Sequence, residues 1–292
     1  MYTMHPAEFA YHRPTSLDEA ISLLGEVEDS RPLAGGHSLL PLMKLRVVTP
    51  AALVDIARIP GLEEISASNG GLTIGAFATH AAVAGSKVAI GIAPVLPETA
   101  AMIGDVQVRN RGTLGGSIAH ADPAADYPTV LKALGATITA TGKNGRREIA
   151  ADDFFVGIFE TALEPGELVT SVTVPATPAG TGAAYLKHRH PASSYAVVGV
   201  AAVVSVEDGT CTAARLTVGG VTSPPVHATA AAEALTGSSG SPDAIAAAAA
   251  RVPQSLAGAT GDVYASGEYR THLAQVLAAR ALAKAFERAA GH

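Results

Sequence analysis

The chain has 292 residues, which is long enough for two or three small domains with a sizeable buried core. Its 20 Lys and Arg residues are outnumbered by 26 Asp and Glu residues, and this net charge of −6 argues against nucleic acid as the main partner. The single cysteine, Cys211, excludes an internal disulfide and cannot alone supply a zinc or iron–sulfur site. No signal-peptide pattern or membrane-spanning apolar run is visible, so a reducing cytoplasm is the expected compartment.

The N-terminal part of the chain predicts a small βα unit. Ser16 and Glu19 form a capping-box pattern ahead of an apolar stripe, and Gly25 is expected to end that helix. A strand over residues 31–34 is expected to run into a glycine-rich loop, and a second strand is expected over residues 52–56.

The central part predicts a larger α/β unit. Strands are expected over residues 72–76 and 167–174, and a helix is expected after Thr79. The dipeptide Asn144-Gly145 is a strong hairpin signal between two further extended stretches. Residues 175–180 are rich in proline and small side chains, which predicts a linker.

The C-terminal part predicts a three-stranded sheet backed by helices. Strands are expected over residues 183–190, 195–206 and 211–219, and a long helix is expected over residues 268–289. The whole chain is therefore expected to be α+β. Its expected domains are residues 1–59, 60–177 and 178–292.

Two glycine-rich loops follow extended apolar stretches. The first is Leu33-Ala34-Gly35-Gly36-His37-Ser38, and the second is Arg111-Gly112-Thr113-Leu114-Gly115-Gly116-Ser117. Glycine has no Cβ, so backbone N–H groups in such loops can turn toward a bound phosphate. A single Gly-Gly pair is more often a simple turn. The two loops together, with their three hydroxyl side chains, predict one cradle for a diphosphate, and valine at Gly35 and Gly116 is expected to fill it without preventing folding.

Seven short motifs follow one another along the chain: His12-Arg13-Pro14, Arg31-Pro32-Leu33-Ala34-Gly35-Gly36-His37-Ser38, Leu42-Met43-Lys44, Gln107-Val108-Arg109-Asn110, Gly112-Thr113-Leu114-Gly115-Gly116, Asp122-Pro123 and Gly267-Glu268-Tyr269-Arg270. Their order resembles the FAD-binding medium subunits of the molybdenum hydroxylases, and most of all the aerobic carbon monoxide dehydrogenase type. Two positions depart from the family pattern. Ser117 stands where asparagine is usual, and Leu114 replaces the commoner isoleucine, but a polar group and a packing side chain are kept.

The resemblance implies a two-part FAD-binding region of the PCMH type, followed by a C-terminal domain of the carbon monoxide dehydrogenase flavoprotein type. The diphosphate of FAD would lie on the two loops, and its isoalloxazine would lie near the third domain. Asp126 would accept hydrogen bonds from sugar or ribityl hydroxyls, Lys187 would lie beside the ring, and Tyr195 would lie against it. The implied FAD-binding residues are Leu33, Ala34, Gly35, Gly36, His37, Ser38, Leu39, Thr113, Leu114, Gly115, Gly116, Ser117, Asp126, Lys187 and Tyr195.

Plainer interpretations exist for several polar residues. Asp122 ahead of a proline is typical of a helix N-cap, and this interpretation is favoured over cofactor contact. Asp126 also fits a solvated helix residue, Lys187 a surface lysine, and Tyr195 an edge residue of the core. Arg109 and Arg111 fit structural or inter-subunit ion pairs better than chemistry.

No catalytic residue or metal site is expected on this chain. His188 and His190 share one strand face, as metal-binding pairs do, but no third ligand lies near them in the sequence. The absence of a nucleophile or an acid–base pair agrees with a subunit that relays electrons through a flavin.

The resemblance implies two partners in a dimer of heterotrimers: a large subunit carrying the molybdenum cofactor and a small subunit carrying [2Fe-2S] clusters. Carbon monoxide would be oxidised to carbon dioxide on the large subunit, and electrons would pass through the clusters to FAD and then to quinone or a membrane-associated acceptor. The complex would be cytoplasmic, associated with the inner face of the membrane through partners. The alternatives left open are a related hydroxylase acting on an aldehyde, purine or N-heterocycle, a self-contained flavin oxidoreductase, and a non-catalytic binding module.

Overall fold

The computed structural model describes residues 4–291, and residues 4–59, 60–177 and 178–291 are called here the N-terminal, central and C-terminal regions. The elements of the N-terminal region are β1 (Ala10–His12), α1 (Leu17–Glu26), β2 (Ser30–Leu33), α2 (Leu39–Lys44) and β3 (Ala52–Asp55). The three strands form a parallel sheet in the order β1-β3-β2, and the central strand β3 is buried at every position. The first glycine-rich loop connects β2 to α2.

Helix α1 begins as predicted but ends later. The hydroxyl of Ser16 accepts a hydrogen bond from the backbone N–H of Glu19 at 3.2 Å. The prediction that Gly25 ends the helix is wrong, because α1 continues through Glu26 and is capped by Val27. A glycine in an exposed last turn lowers helix stability by about 1 kcal/mol without stopping the helix.

The central region is built on a five-stranded antiparallel sheet in the order β4-β5-β10-β6-β7. A two-residue connection at Lys143 and Asn144 joins β6 to β7, which confirms the predicted hairpin. A separate short hairpin, β8–β9, lies beyond it. The elements are β4 (Ile65–Ser68), β5 (Gly71–Gly75), α3 (His80–Gly85), α4 (Lys87–Ile92), α5 (Val95–Ala101), α6 (Val106–Arg109), α7 (Leu114–His120), α8 (Asp126–Leu134), β6 (Thr137–Gly142), β7 (Gly145–Ala150), α9 (Ala151–Phe154), β8 (Phe155–Gly157), β9 (Glu160–Thr161) and β10 (Leu168–Val174).

The C-terminal region contains the three long antiparallel strands that the sequence predicts. The two-residue strand β14 adds a fourth neighbour, and so short a segment carries no periodic signal in the sequence. The elements are β11 (Thr181–Arg189), β12 (Ala196–Glu207), β13 (Thr210–Gly219), β14 (Val226–His227), α10 (Thr229–Glu233), α11 (Pro242–Ala249), a 3₁₀ turn (Val252–Ser255) and α12 (Gly267–Ala290). Helix α12 packs on β11 and β12. The first turn of α12 contains the buried residue Arg270. Its guanidinium ties this turn to the C-terminal sheet by donating to the carbonyls of Val197 at 2.9 Å and Gly220 at 2.6 Å.

The C-terminal sheet is covered on both faces. Tyr185 and Ala201 belong to the apolar core of the central region, whereas Val198 and Val200 pack in a second core with α12. Helix α8 contacts β12 and β13, so the start of α8 lies beside the C-terminal sheet. The domain boundaries at residues 59/60 and 177/178 stay predictions. Within residues 4–291, no helix combines the length and the apolar character needed to cross a bilayer.

Candidate cofactor-binding site

The two glycine-rich loops pack directly on each other. A Cβ added to Gly35 would overlap the carbonyl oxygen of Arg111 and lie 2.8 Å from the Cα of Gly112. A Cβ added to Gly116 would lie 3.6 Å from the Cβ of Ala34. The expectation that valine at Gly35 would leave folding intact is therefore wrong, because the added branches would meet the second loop rather than open space.

The first loop presents backbone donors that the chain does not use. Within residues 4–291, none of the N–H groups from Gly35 to Leu39 donates to a backbone carbonyl. The loop is partly accessible, and Gly36 has a φ of +76°, a conformation that favours glycine. Successive unpaired N–H groups around such a turn form a concave site for an anion. This loop therefore has the donor set that a diphosphate requires.

The second loop is different, because most of its N–H groups are already engaged. Leu114 donates to Ala78 at 2.9 Å and Gly115 donates to Ala76 at 2.8 Å. The N–H of Gly116 donates to the Thr113 hydroxyl oxygen at 3.1 Å, and that hydroxyl is thereby the N-cap of α7. The side chains of Thr113 and Leu114 are buried.

Two residues of the second loop, Gly116 and Ser117, remain half-exposed, and Gly116 lies against Ala34 of the first loop. The second loop can therefore offer close approach and the Ser117 hydroxyl.

Asp126 and Lys187 form a buried ion pair. The ammonium of Lys187 donates to one carboxylate oxygen of Asp126 at 2.8 Å, and the hydroxyl of Tyr185 donates to the other at 2.6 Å. Their side chains are only 1% exposed for Lys187 and 5% for Asp126. The solvated interpretation of Asp126 and the surface interpretation of Lys187 are both wrong.

Burial and charge oppose each other in this pair. Burial raises the pKa of Asp126, and the Lys187 charge and two hydrogen bonds pull it back down. Burial lowers the pKa of Lys187, and the Asp126 charge pulls it back up. The pKa of Tyr185 lies well above its ordinary value because the ring is buried beside this carboxylate, so its hydroxyl stays a donor. Two donors on the carboxylate, one of them charged, are the arrangement of an ionised Asp126.

Asp122 is not a helix N-cap, contrary to the interpretation favoured from the sequence. Its carboxylate accepts from the N–H of Ala124 at 2.8 Å, which makes a tight turn, and α8 begins only at Asp126. The turn is tied to the C-terminal sheet, since Ala196 donates to the carbonyl of Ala124 at 3.1 Å.

Tyr195 lies immediately before β12. It is 42% exposed, and burial of the remainder raises the pKa of its hydroxyl. The negative charges of Asp122 and Asp126 add to that rise in pKa, whereas a side-chain hydrogen bond with Ser38 opposes it. Groups from the first glycine loop and from the start of α8 therefore both act on the pKa of this phenol.

Other polar residues singled out from the sequence lie elsewhere. Arg109 donates to the carbonyls of Ile103 at 3.0 Å and Gly104 at 3.3 Å, which is a structural role. The rings of His188 and His190 contact Tyr264, with centroid distances of 6.4 Å and 4.7 Å. In the part of the chain described, no group of three or more His, Cys, Asp or Glu side chains could hold a metal ion.

Sequence reasoning missed Tyr185, Arg189 and Ser194. The signal was available for the first two, because Tyr185, Lys187 and Arg189 alternate along β11 and so share one face of the sheet. No local pattern marks Ser194, a non-glycine residue in the left-handed conformation.

Comparison with known proteins assigns both parts of the chain. Residues 7–177 match the family described as the FAD binding domain in molybdopterin dehydrogenase, and residues 183–285 match the CO dehydrogenase flavoprotein C-terminal domain. The chain is 39% identical to the carbon monoxide dehydrogenase medium chain of Afipia carboxidovorans, over 98% of this chain and 99% of that one.

Two further comparisons extend this assignment. Identity is 41% with the 6-hydroxypseudooxynicotine dehydrogenase complex subunit alpha of Paenarthrobacter nicotinovorans, over 98% of this chain and 97% of that one. The structure superposes on a chain of reconstituted CO dehydrogenase from Oligotropha carboxidovorans with a TM-score of 0.93 and 39% identity, covering 97% and 99% of the two chains.

Proposed function

The chain belongs to the FAD-binding medium subunits of the molybdenum hydroxylase family, whose members are oxidoreductase subunits, and from this premise we propose that it carries FAD between its two glycine loops as the flavin relay of a carbon monoxide dehydrogenase. When bound, FAD accepts electrons singly or in pairs and passes them on. The chain itself supplies binding, orientation and exclusion of water, and no acid–base chemistry is assigned to it.

The observation that carries the proposal is the run of unused N–H groups from Gly35 to Leu39. A diphosphate bound there would take several charge-assisted hydrogen bonds, each worth about 1.5–3 kcal/mol. Ser38 and Ser117 would add hydroxyl donors from the two sides. Because residues 7–177 match an FAD-binding family, the anion proposed for this loop is the diphosphate of a flavin nucleotide rather than a free phosphate.

The remaining implied residues support the same site in different ways. Leu33, Ala34 and His37 complete the first loop, while Thr113, Leu114 and Gly115 hold the second loop in shape through the bonds described above. Tyr195 offers an accessible aromatic ring next to Ser38, which suits a contact with the isoalloxazine. Asp126 and Lys187 form a fixed, buried pair of charges between the start of α8 and β11.

The partners are proposed on the same family grounds. The chain would assemble with a large molybdenum-containing subunit and a small [2Fe-2S] subunit as a dimer of heterotrimers in the cytoplasm. Electrons released by oxidation of carbon monoxide on the large subunit would reach this chain through the clusters and leave for quinone or a membrane-associated acceptor.

An N-heterocycle is a second candidate substrate of the complex, because a relative with such a substrate is as similar to this chain as the carbon monoxide dehydrogenase relative is. The relative that acts on 6-hydroxypseudooxynicotine is 41% identical to this chain, and the carbon monoxide dehydrogenase relative is 39% identical. The substrate-binding residues lie on another polypeptide, so this chain fits an N-heterocycle hydroxylase as well as a carbon monoxide dehydrogenase.

The experiment that tests the proposal is anaerobic titration of the complex purified with its partner subunits. Acid extraction should release FAD, and carbon monoxide should bleach the flavin absorption. Bleaching by an N-heterocycle and not by carbon monoxide would move the assignment to the second class. A correctly assembled complex without flavin would contradict both.

A further inference from the structure

The turn that precedes Tyr195 is held in an unusual conformation. Ser194 has a φ of +63°, which is rare for a residue with a Cβ and persists only where its surroundings impose it. Its carbonyl accepts from the Lys187 ammonium at 2.8 Å, and its hydroxyl accepts from the Arg189 guanidinium at 2.7 Å. Its own N–H donates to the carbonyl of His190 at 2.9 Å. Each polar group of Ser194 is therefore bonded to β11 or to His190, the residue that follows this strand.

The backbone around Tyr195 is fixed at the same time. Its carbonyl accepts from the N–H of His190 at 2.8 Å, and the next residue, Ala196, donates to the carbonyl of Ala124 at 3.1 Å. The backbone is therefore anchored on both sides of the phenol, by Ser194 before it and by Ala196 after it.

Lys187 is poorly placed to touch a cofactor. Its side chain is 1% exposed in a structure that contains the chain alone, so a molecule in the cleft finds almost no lysine surface. Its ammonium is already bonded to Asp126 and to the Ser194 carbonyl. Arg189 is exposed but aims its guanidinium at Ser194.

We propose that Lys187 and Arg189 are positioning residues that clamp Ser194 in the left-handed conformation and thereby set Tyr195, instead of contacting FAD themselves. Asp126 belongs to the same group of residues, because it holds the Lys187 ammonium in place. The consequence for FAD rests on the proposed function, whereas the clamp is a property of this chain alone.

The clamp can be tested without a cofactor, because the chain contains no tryptophan. In the full chain, Tyr195→Trp creates a single fluorescent reporter at the end of the turn. Adding Arg189→Gln should raise the acrylamide quenching constant about threefold, the effect expected for loss of one partly exposed charge-assisted hydrogen bond. Ser194→Ala, which removes the same bond from its other end, should give the same increase, and the two together should give no more.

A rescue variant and a control variant complete the tryptophan-quenching experiment. Arg189→Lys should restore slow quenching, because an ammonium can still donate to the Ser194 hydroxyl. Arg146→Gln removes an exposed guanidinium that pairs with Glu148 and should leave the quenching unchanged. Unchanged quenching in Arg189→Gln would overturn the clamp.

The second arm uses the FAD-loaded complex and reads flavin fluorescence yield and reduction potential. Arg189→Gln should change both in the native background, and neither should change further in a Tyr195→Ala background. Equal changes in the two backgrounds would show a direct effect on the flavin and would overturn the positioning role. A complex without FAD would defeat the proposed function, and the tryptophan arm would still decide the clamp.

Discussion

Gly35 packs against Arg111 so closely that a Cβ on the glycine would overlap the arginine carbonyl oxygen. The two glycine loops, which lie more than seventy residues apart in the chain, are therefore one structural unit. The first loop contributes unused donors, and the second loop buttresses it. A ligand held by the first loop depends on the second for the loop's shape.

Gly35→Ala should separate the loops. The overlap with the second loop should lower the free energy of unfolding by about 1–3 kcal/mol, the usual cost of overpacking, and should deplete FAD from the complex. Urea unfolding and acid-released flavin measure the two effects. Gly25→Ala is the matched control, because a Cβ there meets nothing within 4 Å and should stabilise α1 by roughly 0.5–1 kcal/mol. A Gly35→Ala protein with normal stability and flavin content would disprove the contact.

Ser117→Ala should weaken FAD binding without affecting stability. The side chain is half-exposed at the rim of the second loop, so its loss should change the free energy of unfolding by less than about 0.5 kcal/mol. The dissociation constant for FAD in the reconstituted complex should rise roughly tenfold, as expected for one hydrogen bond to a charged group. Ser117→Asn restores the residue usual in the family and should bind FAD tightly. Identical affinity in all three proteins would exclude the hydroxyl from the site.

Removing either half of the Asp126–Lys187 pair should be costly. Lys187→Gln leaves a buried carboxylate without its cation, and Asp126→Asn leaves a buried ammonium, so each should lower the free energy of unfolding by about 3–5 kcal/mol. The double variant removes both charges and should be more stable than the sum of the two single losses predicts. Strict additivity in urea unfolding would mean that the two side chains do not interact.

His80 should make the protein sensitive to acid. The ring is buried behind Gly112, and burial lowers its pKa to about 4, with the charges of His37 and Arg109 adding to the effect. The unfolded chain takes up this proton near pH 6.5, whereas the folded chain resists it until about pH 4. Stability is therefore lost as the pH falls through this window, by up to about 1.4 kcal/mol per pH unit.

His80→Gln should remove that part of the pH dependence. The free energy of unfolding measured between pH 7 and pH 4 should fall less steeply than in the native protein. His272→Gln, which replaces an exposed imidazole on α12, should keep the native slope. If His80→Gln also keeps the native slope, the buried imidazole does not control acid stability.

Local features of the fold were predictable from the sequence. The turn at Asn144 and the extended stretches of the long C-terminal strands depend on residues that are close in the chain, and both agree with the structure. The prediction that Gly25 ends α1 was wrong because a glycine in the sequence does not distinguish the last turn of a helix from the position after its end. The interpretation of Asp122 as a helix N-cap was wrong because an Asp-Pro pair is found in tight turns as well as at N-caps.

Long-range pairings were not predictable in the same way. Asp126 sits in the first turn of a helix, where a carboxylate is usually solvated, and its partner Lys187 is 61 residues away. Nothing near Asp126 in the sequence shows that the C-terminal sheet covers it. The engaged N–H groups of the second loop are likewise hidden, because their acceptors, Ala76 and Ala78, belong to a different segment.

The most direct test of the account is amide hydrogen exchange of the complex with and without FAD. Peptides that cover residues 35–39 should exchange fast without FAD and slowly with it, because the nucleotide diphosphate would occupy their unused N–H groups. Peptides that cover Leu114 and Gly115 should be protected in both states, since their N–H groups are bonded within the chain. Fast exchange of residues 35–39 in a complex saturated with FAD would contradict the assignment of the first loop as the diphosphate site.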